Sequence, residues 1–576
     1  MNYECALSLQ ELQKRTSKDY LLVKKMLDTN SKEFLELKEG DKRALSYLVK
    51  AARIIEKINM ELDSHHNLAF KEFLEKNSSD ERARLTKILF DAQKGIFSLD
   101  CESNLIKLAA NLEKKKGRGF YPEDLTENEF HQILIKMIKK NKIDEVKKIL
   151  NQRSVVERFN DELIAIDYVD KFKDDFINAA NFLLAASEVS TNGDFNEYLK
   201  LQAAAFLAPD PMLDAYADKK WASLQDTPLE FTITRENYSD EMTETVFENE
   251  ELSKLLKENS IDVISKDYLG ARVGIVNKEG TDYILKVKDF LPLMASNMPY
   301  CDKYTQTISK TSDISQTMVD VDLVEVAGDV GAFRAGITLA ENLPNNDKLS
   351  LTIGGGRRNV YHRQIRFITS EDAKKKLQER LDNILVKDLH KFYDDKMDHP
   401  FTIGHENGHS LGPKEGSEAL GKYKSIIEEN KADMVSLAML DILVEAGLYT
   451  KEERDKIIVT YGADNMLKSK PELTQAHRVR TVMQNYFFLK QGAIEISADG
   501  FLNIHIEKMV ETARKMLCEI IKVQMSGDFA VGEKYVLDNF IWTDEMEVVA
   551  QKLKKISKRL NGKTEQPLAD MLFEQE

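Results

Sequence analysis

His405 and His409 stand four residues apart, with Glu406 beside the first of them. On a helix this spacing puts both imidazoles on one face, close enough to share a single ion. The carboxylate of Glu406 then lies where it can reach water activated by that ion, take its proton during attack on a carbonyl, and hand the proton to a leaving amine. Two imidazoles do not complete such a centre. The acidic run Glu428-Glu429-Asn430-Lys431-Ala432-Asp433 follows about twenty residues later and offers a third ligand from a second helix. Both Glu428 and Glu429 are candidates. Glu429 is preferred because Asp433, four residues on, shares its helical face and can accept the free N–H of a ligand histidine. Glu428 can instead close a capping box with Ser425 if the helix starts there. The pattern thus predicts one Zn2+ ion held by His405, His409 and Glu429, with Glu406 as base and acid, and the chemistry is hydrolysis of an amide bond.

The histidines need a helix with defined ends. Pro400 suits its first turn, where a missing N–H costs little, and Gly412-Pro413 supplies a stop. Around this helix the chain divides into four stretches. Residues 1 to about 225 read as helices: Leu45, Leu48, Ala52 and Ile55 mark one apolar face. Residues 226–370 read as mixed and strand-rich. Strands are expected over Phe231–Thr234, Ala271–Val276, Leu323–Ala327, Leu349–Ile353 and Val360–Phe367, and over Tyr283–Val287, joined to Ala271–Val276 through a turn near Gly280. Helical patterns return in 371–530, the metal-binding part, broken by a hairpin at Asp499-Gly500, and 531–576 reads as a helical tail. The fold class is α+β, mostly helical.

A length of 576 residues favours several lobes, and 11 prolines favour helices. The net charge of −15 argues against nucleic acid as a partner. The short basic run Lys114-Lys115-Lys116 with Arg118 reads as a solvated loop. Four scattered cysteines do not make a disulfide framework, no apolar signal core opens the chain, and the apolar stretch Met434–Leu448 carries Asp441 and Glu445. These features predict a cytoplasmic protein with no membrane span. His65 and His66, being adjacent, face apart, and His131, His362, His390, His399 and His505 read as surface or satisfied core residues.

The run from His405 through Gly412-Pro413 to Asp433 resembles the dipeptidyl peptidase III family of zinc metallopeptidases, most closely its bacterial and plant branch. Gly119-Phe120-Tyr121-Pro122-Glu123-Asp124-Leu125-Thr126, Arg235-Glu236-Asn237-Tyr238, Ala340-Glu341-Asn342-Leu343-Pro344-Asn345-Asn346-Asp347, Ala476-His477 and Gln524-Met525-Ser526-Gly527-Asp528 extend the likeness in order along the chain. The resemblance implies two lobes around a wide cleft, a helical zinc-binding lobe and a lobe with a small β-barrel plus helices. It implies release of dipeptides from the N-terminus of short peptides; separately, a monomer or homodimer is expected. By the same likeness Tyr238 and His477 stabilise the oxyanion, Glu236 binds the substrate's free amine, and Asn342 and Asn345 hold its backbone.

Much of the family has one more residue between the two histidines, and the basic residues that anchor the substrate's C-terminal side have no counterpart here. Two alternatives follow: a zinc oligopeptidase that cuts further along the peptide, and a peptide-binding protein that keeps the cleft without turnover. An intact Glu406 argues against the second, since a binding module needs no base beside its metal.

Overall fold

The computed structural model describes residues 2–18, 20–99, 104–236, 240–306, 316–328, 340–344, 349, 352–362, 371–556 and 561–574. Long amphipathic helices build the N-terminal part. Leu45, Leu48, Ala52 and Ile55 are all buried on helix Glu39–Asp63, which packs along helix Lys173–Val189. The N-terminal region is less purely helical than its periodicity predicts. It also holds the hairpins Phe97–Leu99 with Leu105–Lys107 and Ser154–Phe159 with Glu162–Asp167. A short strand, Leu21–Lys25, pairs in parallel with Asn561–Glu565. The basic run lies in a loop with Lys115 and Lys116 exposed, as expected, and it also carries ion pairs. Lys114 pairs with Glu241 at 3.1 Å, Lys116 with Glu127 at 2.6 Å, and the buried Arg118 with the buried Asp63 at 3.2 Å.

A five-stranded mixed sheet has the order Leu229–Glu236, Tyr268–Val276, Gln316–Ala327, Arg357–His362, Ala340–Leu343. The third and fourth of these run parallel and the other neighbours antiparallel. Among the described residues no sheet closes into a barrel, so the barrel implied by the resemblance is not found there. The predicted strand over Tyr283–Val287 is instead part of helix Lys278–Lys288, and Gly280 lies in its first turn, not in a hairpin. Asn277 caps that helix, and Thr281, Ile284 and Val287 are buried at a three-residue spacing that a strand could not place on one side. Leu349 and Thr352 are helical rather than extended, and the strand predicted to reach Phe367 is described only as far as His362.

Successive strand residues point to opposite faces, and the sheet uses this to separate two cores. Val319, Val321, Leu323, Leu343 and Val360 face the core built with the N-terminal helices. Met318, Ala340 and Tyr361 face a second core made of residues 284–298 and 381–553. The chain finally returns to the first core, where helix Pro567–Glu574 buries Leu568, Ala569 and Leu572. Among the described residues no helix is long and apolar enough to cross a membrane.

Candidate metal centre

The histidine helix spans Asp398–His409, with Pro400 in its first turn. One face carries His405 and His409, whose rings meet edge-on with centroids 4.7 Å apart. Another face carries Gly404 and Gly408, also four residues apart. A Cβ on Gly404 would lie 2.3 Å from Ser436 Oγ, and one on Gly408 would lie 2.8 Å from the carbonyl oxygen of Ala432. The two glycines therefore let helix Lys424–Ala438 approach closer than side chains would allow. That approach brings Glu429 under the imidazoles. Its carboxylate oxygens stand 3.5 Å from His405 Nε2 and 3.8 Å from His409 Nε2, and the three ligand atoms lie within 4.8 Å of one another.

The surrounding hydrogen bonds set the tautomers. His405 Nδ1 is 2.7 Å from Asp433 Oδ1, and His409 Nδ1 is 3.1 Å from Glu428 Oε1. Asp433 is fully buried, accepts a 3.0 Å bond from Gln484 Nε2 and pairs with Arg480. Burial pushes the Glu428 carboxyl up, but Lys414, Lys431 and His409 outweigh it and hold the group well below the usual carboxylate range. Both partners are thus acceptors, so each Nδ1 donates, and each neutral ring presents a bare Nε2 lone pair. Those two Nε2 atoms face each other at 3.1 Å. Two lone pairs at that distance repel unless a cation stands between them.

The third donor behaves the same way. Among the described residues Glu429 Oε2 is buried and accepts no hydrogen bond of good geometry, although His477 Nδ1 is 3.1 Å away. Burial raises the Glu429 carboxyl, yet the surrounding imidazoles, His477 first, outweigh it and hold the group below its ordinary value. Two imidazole Nε2 atoms and a buried carboxylate converging within 4.8 Å fit a zinc-type ion with a coordination position left open. Glu406 is buried beside them. Burial pushes its carboxyl up, against the pull of His405 and His409, and burial likewise pushes the His405 imidazole down.

The remaining predicted residues fall in different places. His477 sits in the first turn of helix Ala476–Gln491, with its side chain 51% exposed. Asn342 lies in strand Ala340–Leu343, buried, with its amide nitrogen 3.0 Å from Ser410 Oγ at the end of the histidine helix and bonded also to Asn359. Arg357 donates to its side-chain oxygen, and to its backbone oxygen at 2.8 Å. Glu236 is the last residue of strand Leu229–Glu236, paired in register with Tyr268. Tyr238 and Asn345 lie outside the described residues.

The capping box between Ser425 and Glu428 does not form. The helix begins at Lys424, and Glu428 is drawn instead to His409 and to the buried ammonium of Lys431, at 2.7 Å. Sequence reasoning also missed Arg480 and Gln484, which bind Asp433, and Asn359, whose amide reaches Asn407 Oδ1 at 3.0 Å. The one available signal was that His477, Arg480 and Gln484 recur along one helix at three- and four-residue spacing.

Two solved structures share this arrangement of elements. Dipeptidyl-peptidase III from Corallococcus sp. strain EGB superposes with a TM-score of 0.80 at 20% identity, covering 99% of each chain. The same enzyme from Caldithrix abyssi superposes with a TM-score of 0.76 at 24% identity, covering 98% of this chain and all of that one. The chain has the dipeptidyl-peptidase III fold. Its sequence is also 23% identical over 601 residues to Nudix hydrolase 3 of Arabidopsis thaliana, an alignment that covers 93% of this chain and 72% of the plant protein. No family model matches.

Proposed function

We propose that the protein is a zinc-dependent peptidase that releases dipeptides from the N-terminus of short peptides. The observation that carries this reading is the pair of histidines whose Nδ1 protons are both committed to carboxylates, leaving two bare Nε2 atoms 3.1 Å apart above Glu429. A zinc ion bound by His405, His409 and Glu429 would supply Lewis acidity, making water a nucleophile near neutral pH and polarising the scissile carbonyl. The chain's own groups do the rest. Glu406 receives the proton released on attack and delivers it to the leaving amine; a buried carboxyl raised above its usual value suits both halves of that task. His477, half-exposed beside Glu429, and Tyr238 donate to the developing oxyanion. Glu236 neutralises the free amine, and Asn345 and Asn342, the latter on exchanging its bonds to Arg357, Asn359 and Ser410, hold the peptide backbone through amide groups that both donate and accept. The dipeptidyl-peptidase III fold supports peptide as the substrate class.

Product analysis by mass spectrometry on a mixture of short peptides tests this. Released dipeptides, lost on chelation and restored by zinc, are the expected result. Glu406→Gln should keep zinc and lower turnover by roughly 10²–10⁴-fold. Equal cleavage of N-acetylated and free peptides would instead favour an internal-cutting oligopeptidase. Bound zinc with hydrolysis indifferent to Glu406 would overturn the mechanism.

A further inference from the structure

Strand Leu229–Glu236 pairs with Tyr268–Val276 and, among the described residues, has no partner on its other edge. A one-sided ladder holds the end of a strand weakly, yet under the proposed function Glu236, its last residue, must keep a carboxylate at a fixed distance from the scissile bond. The structure contains a clamp at that point. Arg235 is the strand residue directly before Glu236. Its guanidinium donates to Asp214 Oδ1 at 2.6 Å. Asp214 is buried on helix Pro211–Ala222, and its other oxygen pairs with Arg153, which is buried as well.

The partner strand is tied to the same spot. The backbone N–H of Asp267, next to Tyr268, bonds to the Gln152 carbonyl at 2.9 Å. The Asp267 carbonyl accepts from Tyr168 Oη at 2.9 Å, and the Tyr168 backbone N–H reaches the Arg153 carbonyl at 3.0 Å. Both strand ends at the Glu236 position are therefore fastened to the segment Gln152-Arg153, the strand that carries Glu236 through the buried carboxylate of Asp214.

We propose that Asp214 is a positioning residue for Glu236: by fixing Arg235 it fixes the backbone of the strand end that carries Glu236, and so sets the preference for a free N-terminus. This rests on the assignment of Glu236 as the amine-binding group. A shift of about 1 Å in such a group can cost on the order of 10²-fold, so a clamp on the neighbouring residue has leverage on affinity.

The test measures Kd for a short alanine peptide and for its N-acetyl form, in a Glu406→Gln background that does not turn the peptide over. Asp214→Asn and Arg235→Gln should each reduce the preference for the free amine roughly tenfold or more, with affinity for the acetylated peptide and zinc content unchanged. Asp214→Glu should restore part of it. Arg235→Lys keeps a cation opposite Asp214 but not the planar fork; as the variant that disturbs the buried charge least, it should fold and show a smaller loss in the same direction. Glu236→Gln sets the scale by abolishing the preference. Folded, zinc-loaded Arg235 variants that keep the full preference, while Glu236→Gln loses it, overturn the clamp. Should Glu236→Gln itself keep the preference, the amine-binding assignment fails and the proposal with it.

Discussion

Replacing Asp433 by asparagine should loosen the metal without removing any metal ligand. Asp433 Oδ1 accepts from His405 Nδ1 at 2.7 Å in a fully buried site, while its other oxygen accepts from Gln484 Nε2 at 3.0 Å and pairs with Arg480. All three partners are donors. An asparagine offers one acceptor and one NH2 group, so either orientation aims two donors at each other. If the carbonyl keeps His405, the NH2 faces Gln484 and Arg480; if it turns, the NH2 faces the imidazole N–H. The first case exchanges a charge-assisted bond of about 1.5–3 kcal/mol for a neutral one of about 0.5–1.5 kcal/mol. The second releases the ring to rotate. The first case alone costs about 1 kcal/mol and the second more, so metal affinity should fall roughly tenfold, at the low end of the range seen when the partner of a ligand histidine is altered. Zinc content measured after equilibration with graded chelator at fixed pH would show it. Retention within twofold of the unaltered protein would refute the argument that Asp433 orients His405.

Gly408→Ala should separate the histidine helix from helix Lys424–Ala438, because the new Cβ would meet the Ala432 carbonyl oxygen at 2.8 Å. A destabilisation of about 1–3 kcal/mol is expected, seen as a lower Tm, together with zinc loss greater than that of an alanine introduced on an exposed helix face. Zinc itself should raise Tm in a concentration-dependent way, which Glu429→Ala should abolish in a thermal-shift titration. Lys266 is fully buried, with Nζ bonded to the carbonyls of Ile149 and Asn151 at 2.7 Å each and to Ser154 Oγ at 2.8 Å. Burial drags its ammonium down to about 7. Between pH 7 and the ordinary lysine range near 10.4 the unfolded chain then binds more protons than the folded one, so stability from this group rises with pH. The Tm difference between the unaltered protein and Lys266→Met should therefore move in favour of the former from pH 7 to 10. A difference that stays constant would show Lys266 charged throughout.

Local periodicity carried much of the reading. The helix at Glu39–Asp63 and the strands at Leu229–Glu236, Tyr268–Val276 and Gln316–Ala327 follow from patterns that a few neighbouring residues define. Tyr283–Val287 failed because five residues of mixed character suit either period. The longer window, with Asn277 as cap and Thr281, Ile284 and Val287 on one side, is helical. Glu428 failed for a different reason. Its preference for a capping box is a local, weak interaction, and the ring of His409 and the ammonium of Lys431 offer it a stronger, charged one.

The four-residue spacing of His405 and His409 makes them neighbours on any helix, and Glu406 comes with them by covalent adjacency; these relations were complete in the linear chain. The close meeting with Glu429 depends on Gly404 and Gly408 packing against Ser436 and Ala432, and the lone pairs that face the ion depend on Asp433 and Glu428 arriving from that second helix. The clamp of Asp214 on Arg235 and the contact of Asn342 with Ser410 join residues far apart in sequence. Such contacts arise from how helices and sheet stack, and no period along the chain encodes them.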